Sequence, residues 1–130
     1  MADYTAKRID EMEAAFLGGF KRARAELGVE SFGMQVIDLP PNFKDFPEHD
    51  HAEEGQEEVY LLLHGDATLV VDGEEVPLDE QTLVRVGPAA RRKIDSGERA
   101  PRLLALGGVP GAVYSPPDVS KLGAPDPMAA

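Results

Sequence analysis

Pro47-Glu48-His49-Asp50-His51 is followed five residues later by Gln56-Glu57-Glu58-Val59-Tyr60-Leu61-Leu62-Leu63-His64-Gly65, and the rest of the chain is read outward from these two runs. Two of the three histidines, His49 and His51, lie in the first run, separated by one residue. In an extended chain residues i and i+2 point to the same face, so His49 and His51 can aim both imidazoles at one point. A carboxylate on the next apolar run completes a set of two nitrogens and one oxygen. Such a facial set suits Fe(II), Mn(II), Ni(II) or Zn(II), with coordination positions left open.

Composition bounds what surrounds that set. A length of 130 residues is one domain. Thirteen basic against 24 acidic residues, a net charge of −11, argue against a nucleic-acid or anionic-membrane partner. No cysteine is present, which removes disulfides, thiolate metal sites and cysteine nucleophiles. The first residues, Met1 to Arg8, hold no apolar core of a leader, and the longest run of large apolar residues is Val59–Leu63. A cytoplasmic protein is expected.

Before the histidines, Ile9, Met12, Phe16, Phe20, Ala23 and Leu27 recur at three- and four-residue steps. That spacing predicts a helix over 9–28, with Asp10 and Glu13 as a capping box, Gly28 as the stop and a bend at Gly18-Gly19. From Ser31 the period changes to two. Phe32, Met34 and Val36 alternate with Gly33, Gln35 and Ile37 until Pro40-Pro41. The run from Glu57 to His64 is the clearest strand. Thr68–Val71 and Glu74–Val76 flank Asp72-Gly73 as a hairpin, and Leu83–Val86 and Arg102–Leu106 complete the strands. Short strands punctuated by turns mean an all-β barrel or sandwich. The units expected are a helical segment over 1–30, packed on the barrel or a partner, a barrel over 31–115 and a Pro/Gly-rich tail over 116–130. That tail should wrap partly on the barrel.

The run from His49 to Arg92 resembles the cupins, small jelly-roll barrels. Their first motif is His-x-His, a Glu a few residues on and a Gly seven positions after that Glu; here these fall on His49, His51, Glu58 and Gly65. The gap from His51 to Glu58 is slightly long, which keeps Gln56 and Glu57 as alternatives. The wider pattern, through Gln56–Tyr60 to Leu104-Ala105-Leu106-Gly107-Gly108, is similar to small bacterial single-domain cupins that have no settled activity. The resemblance implies a jelly-roll barrel, a metal held by His49, His51 and Glu58, and a pocket lined by Tyr60 and Leu62.

The second cupin motif departs from the pattern. Glu80-Gln81 replaces the usual Pro-Gly, and Arg92 stands where a third ligand histidine is expected. A guanidinium has no free lone pair and repels a dication. Turned outward, Arg92 leaves a three-ligand metal site. Turned inward and paired with Glu58, it favours a metal-free pocket for an anionic ligand. A register one residue off would give that role to Arg91 or Lys93.

Plainer readings stand beside these. The two histidines would serve as loop residues paired with Glu48, Asp50, Glu53 or Glu54, and His64 as an exposed turn residue. The acidic first motif and the basic run Arg85, Arg91, Arg92, Lys93, Arg99 and Arg102 should meet at one barrel mouth and balance each other, at roughly 0–1 kcal/mol per exposed pair. Val59, Leu61 and Leu63 are apolar on the strand's second face, so the helix or a second subunit must cover them, and a homodimer is expected. The functional expectation is a cupin that binds a divalent metal and acts on a small organic molecule, in the manner of a dioxygenase or isomerase. The alternatives are a metal-free binding module using Arg92 and a regulatory dimer with a vestigial pocket.

Overall fold

The computed structural model describes residues 2–129. Six strands form one antiparallel sheet: β1 (Ala14–Ala15), β2 (Phe20–Lys21), β3 (Gly33–Asp38), β4 (Glu57–His64), β7 (Leu83–Val86) and β9 (Arg102–Gly108). Their order across it is β1-β2-β3-β9-β4-β7. Strands β5 (Ala67–Val71), β6 (Glu74–Leu78) and β8 (Arg92–Ser96) form a second sheet in the order β6-β5-β8. Strand β9 lies between β3 and β4, and β7 pairs with β4 and β8 with β5, crossovers of the kind a jelly roll requires.

One core joins the sheets. Ile37, Leu62 and Leu103 of the large sheet pack with Leu69, Leu78 and Ile94 of the small one. Leu69, Ile94 and Leu103 have no exposed surface, and each such side chain stabilises the fold by about 1.5–3 kcal/mol. Alternation sets the geometry on β4, where Glu58, Tyr60 and Leu62 are buried inward. Gly65 ends that strand at φ +86°, and a Cβ there would stand 2.4 Å from the carbonyl oxygen of Ala100. Only glycine makes this turn. The Asp72-Gly73 hairpin forms as its sequence predicts, with φ of 49° and 80° and Val71 opposite Glu74.

The helix expected over 9–28 does not form. Ile9–Glu11 is a single 3-10 turn, β1 and β2 make a short hairpin, and the α-helix is limited to α1 (Ala23–Leu27). Phe16, Leu17 and Gly18 turn the chain at φ of 55°, 56° and 89°, which no α-helix can include. The Asp126 carboxylate accepts hydrogen bonds from the Phe16 and Leu17 amides at 2.8 and 3.0 Å and holds that turn. Part of the apolar stripe is buried all the same. Met12, Ala23 and Val36 form a second cluster on the outer face of the large sheet, with Ile9, Met34 and Leu104 against it. Phe20 and Lys21 pair with Ile37 and Val36, so β1 and β2 extend the sheet where a long helix was expected.

Strand β8 has no counterpart in the sequence reading. Its inward residues are Arg92, Ile94 and Ser96, and two of the three are polar, which hides the alternation. No helix among the described residues is long and apolar enough to cross a membrane.

Candidate metal centre

Two elements bring the His-x-His pair to the barrel mouth. The extended stretch at His49 pairs with the first residue of β8: the His49 amide donates to the Arg92 carbonyl at 2.9 Å and the Arg92 amide returns the bond at 2.8 Å. The His51 amide donates to the Pro88 carbonyl at 2.8 Å. Glu58 faces the pair from β4, and ligand atoms of His49, His51 and Glu58 lie within 4.8 Å of one another.

The ring nitrogens are already sorted. Nδ1 of His49 lies 3.1 Å from the Pro47 carbonyl, an acceptor, so that nitrogen carries the proton. Nδ1 of His51 is in contact with the Glu54 carboxylate, with the same result. A singly protonated ring then presents its Nε2 lone pair, and that of His51 is buried without a hydrogen-bond partner among the described residues. It stands 3.3 Å from Glu58 Oε1. Two lone-pair atoms facing each other repel unless a cation or a proton lies between them. An ion with bonds of about 2.1 Å separates neighbouring ligands by about 3.0–3.4 Å, so this spacing fits one. Glu54, one of the four carboxylates that the plainer reading offered as partners of the two histidines, is the one that holds the His51 ring.

Glu58 is the hub. Its Oε1 accepts a hydrogen bond from the Tyr60 hydroxyl at 2.7 Å, and the Gln56 amide reaches Oε2 at 3.5 Å. Burial, followed by the charge and hydrogen bond of Glu58, pushes the Tyr60 phenol far up, so it stays protonated and donates. The Arg92 side chain turns inward and is wholly buried, with Nη1 3.5 Å from Glu58 Oε1. Nη2 donates to the Gly87 carbonyl at 2.7 Å, while Nε and Nη1 have no hydrogen-bond partner among the described residues.

The other candidates fall elsewhere. Glu57 faces outward and pairs with Arg85 at 2.8 Å, and Gln56 reaches Glu58 instead of joining the ligand set. Arg91 lies on the surface against Glu48 and Asp50 at 3.0 and 3.4 Å, and Lys93 pairs with Asp95. Leu62 is buried in the core like Tyr60 but borders the cleft at the other end of the barrel, and His64 is exposed at the far end of β4. The charge balance expected between the acidic and basic segments is present at Arg85 and Arg91, whereas Arg99 and Arg102 pair with Asp66 and Asp38. A cleft of about 460 Å³ opens at the other end of the barrel, between Gly65, Asp79 and Arg99, and contains none of the ligand set.

No protein-family model and no curated protein matches the chain. Solved structures do. A cupin protein from Bacteroides fragilis is 21% identical, with a TM-score of 0.66 over 90% of this chain and 93% of that one. A structure described as a sugar phosphate isomerase from a cupin superfamily, from Silicibacter pomeroyi, is 19% identical, with a TM-score of 0.65 over 86% and 77%. A protein from Planctomyces limnophilus is 21% identical, with a TM-score of 0.63 over 88% and 94%. At these identities the likeness is one of fold, and the fold is the cupin jelly roll.

Proposed function

On a cupin fold with this ligand set at its mouth, we propose that the protein holds a divalent metal ion at His49, His51 and Glu58 and binds or acts on a small organic molecule inside the barrel. The observation that carries this is the pairing of bare His51 Nε2 with Glu58 Oε1 at 3.3 Å while Glu54 holds Nδ1. A bound ion would supply Lewis acidity toward an oxygen-bearing ligand, or redox chemistry if it is iron. The chain's own residues do the remaining work. Tyr60 fixes the Glu58 carboxylate by donating to it, and Glu54 fixes the His51 ring.

Charge selects the ligand class. With both imidazoles neutral, the Glu54 and Glu58 carboxylates and the Arg92 guanidinium sum to −1, so a dication leaves an excess of one positive charge at the site. An anionic molecule, a carboxylate or a phosphate ester, relieves it. The isomerase description of the Silicibacter pomeroyi structure is consistent with such a ligand.

A second reading has its own observation. Arg92 is inward and paired with Glu58, the arrangement expected of a metal-free pocket. Here the guanidinium neutralises Glu58, and an anionic ligand takes the free Nε and Nη1. Calorimetric titration with Mn(II), Co(II), Ni(II) and Zn(II) separates the two. Binding of about one ion per chain that His51→Ala abolishes supports the metal centre; no heat with any of the four supports the metal-free pocket.

We also propose a homodimer formed through the outer face of the large sheet. Val59, Leu61 and Leu63 are only partly covered there, and Leu83 of edge strand β7 is 69% exposed. A cytoplasmic location accords with the acidic, cysteine-free composition.

A further inference from the structure

The inward row at the barrel mouth lacks two side chains. Ile37 of β3 faces the main core and Val36 the outer cluster, so Gly33, four residues before Ile37, faces inward. Gly33 pairs with Gly107, and Gly107 pairs with Glu58. The space beside the Glu58 carboxylate is therefore open to groups from elsewhere, and two enter it. A Cβ on Gly107 would stand 2.9 Å from Gln56 Nε2, and a Cβ on Gly33 would stand 2.8 Å from the hydroxyl oxygen of Tyr114.

Gln56 is accounted for by its hydrogen bond to Glu58. Tyr114 is not. It comes from the segment that follows β9, where Ala112, Val113 and Ser115 are exposed, Val113 to 94%. Only the phenol of that stretch is turned in, and its hydroxyl makes no hydrogen bond to the described residues. Burial pushes its pKa up, Arg24 pulls the other way, and the charge of Glu58 pushes it up again, so the ring lies within electrostatic reach of the candidate centre.

We propose that Tyr114 is the gate residue of the barrel pocket: the segment 109–117 is a lid, and a small molecule reaches His51 and Glu58 only past this phenol, whose free hydroxyl then serves it as a hydrogen-bond donor. The proposal rests on the reading that the barrel interior is the binding site, and it does not need the metal. Gly33 is the complementary half of the gate, because any side chain there expels the phenol.

The test is a diethyl pyrocarbonate footprint of the metal-free protein, read by peptide mass spectrometry. The reagent acylates an accessible unprotonated imidazole nitrogen, and exposed His64 at the far end of β4 is the internal control. Tyr114→Ala should raise the His51 rate by about fivefold or more and leave His64 unchanged, since removing a lid opens only what it covers. Gly33→Ala should do the same, and Tyr114→Phe, which keeps the ring, should stay within about twofold of the native protein. A His51 rate unchanged in both Tyr114→Ala and Gly33→Ala overturns the gate. If Tyr114→Ala unfolds, seen as an equal rise at His64, Gly33→Ala decides alone. Failure of metal uptake would leave this footprint intact, and an unchanged footprint would leave the metal titration intact.

Discussion

Arg92 Nη1 stands 3.5 Å from Glu58 Oε1, with the guanidinium wholly buried and Nε and Nη1 without hydrogen-bond partners among the described residues. The pair links β8 to β4, and hence the small sheet to the large one. It also places a fixed positive charge beside the carboxylate of the candidate ligand set. Removing one member of a buried pair leaves the other charge uncompensated, so Arg92→Ala should lose about 3–5 kcal/mol in urea denaturation. Arg92→His removes the repulsive cation and adds a lone-pair nitrogen at the same strand position. It should tighten Zn(II) binding by about tenfold or more, some 1.4 kcal/mol, in calorimetry. Weaker binding by Arg92→His would count against the inward guanidinium as the element that opposes a metal.

Tyr60 gives Glu58 its shortest hydrogen bond, 2.7 Å. Tyr60→Phe keeps the ring in the core and leaves one buried carboxylate oxygen short of a donor. A loss of about 1–3 kcal/mol is expected. Metal affinity should change less than it does in His51→Ala, because the phenol holds a ligand and is not one itself.

Asp38 ties the sheet edge together by accepting from Arg102 at 2.8 Å and pairing with Lys21 at 3.1 Å. Burial pushes its carboxyl up, but Arg102 and Lys21 outweigh burial and hold it below its ordinary value. A carboxylate with a depressed folded pKa contributes stability that is fully present above its unfolded value, about 3.9, and is lost as the pH falls through the folded one. Asp38→Asn should therefore be less stable than the native protein at neutral pH, and the gap should close below about pH 4. Thermal unfolding of both proteins across pH 2.5–7 checks the sign; a gap that widens in acid would contradict it.

Leu83 lies in the same outward cross-strand row as Leu61, at the free edge of the large sheet. Native protein at micromolar concentration should sediment as a dimer, and Leu83→Arg as a folded monomer with its metal titration unchanged. A native monomer at that concentration would remove the outer face as an interface.

Where local pattern and final environment agree, the sequence is readable. On β4, Glu58, Tyr60 and Leu62 alternate with Val59, Leu61 and Leu63, and the buried face is the one that alternation implies. His49 and His51 converge because an extended chain admits no other relation between residues two apart. The segment 9–28 fails because Met12, Phe16, Phe20 and Ala23 satisfy a helical period and a folded hairpin alike. The deciding contact, Asp126 on the Phe16 and Leu17 amides, comes from over a hundred residues away. Strand β8 fails because Arg92 and Ser96 are polar at inward positions: Arg92 meets Glu58, and the Ser96 hydroxyl donates to the Pro40 carbonyl at 2.6 Å.

Glu80-Gln81 gives a subtler case. The missing Pro-Gly looks like a lost turn, yet Asp79 builds one. Its carboxylate accepts from the Gln81 amide at 2.9 Å and the Thr82 hydroxyl at 2.8 Å. A side chain that caps its own turn replaces the left-handed glycine. The direction of Arg92 was not legible at all, since residues 91, 92 and 93 are all basic and only the register of β8 against β5, with Arg92 opposite Val71, selects one of them.

Elemental analysis of untagged protein, purified without chelator or nickel resin, bears most directly on the metal centre. The site built by His49, His51 and Glu58 predicts near-stoichiometric iron, manganese, nickel or zinc in the native protein and its loss in His49→Ala. Metal-free protein that takes up none of these ions on titration would contradict it, and Arg92 would then be the centre of the pocket.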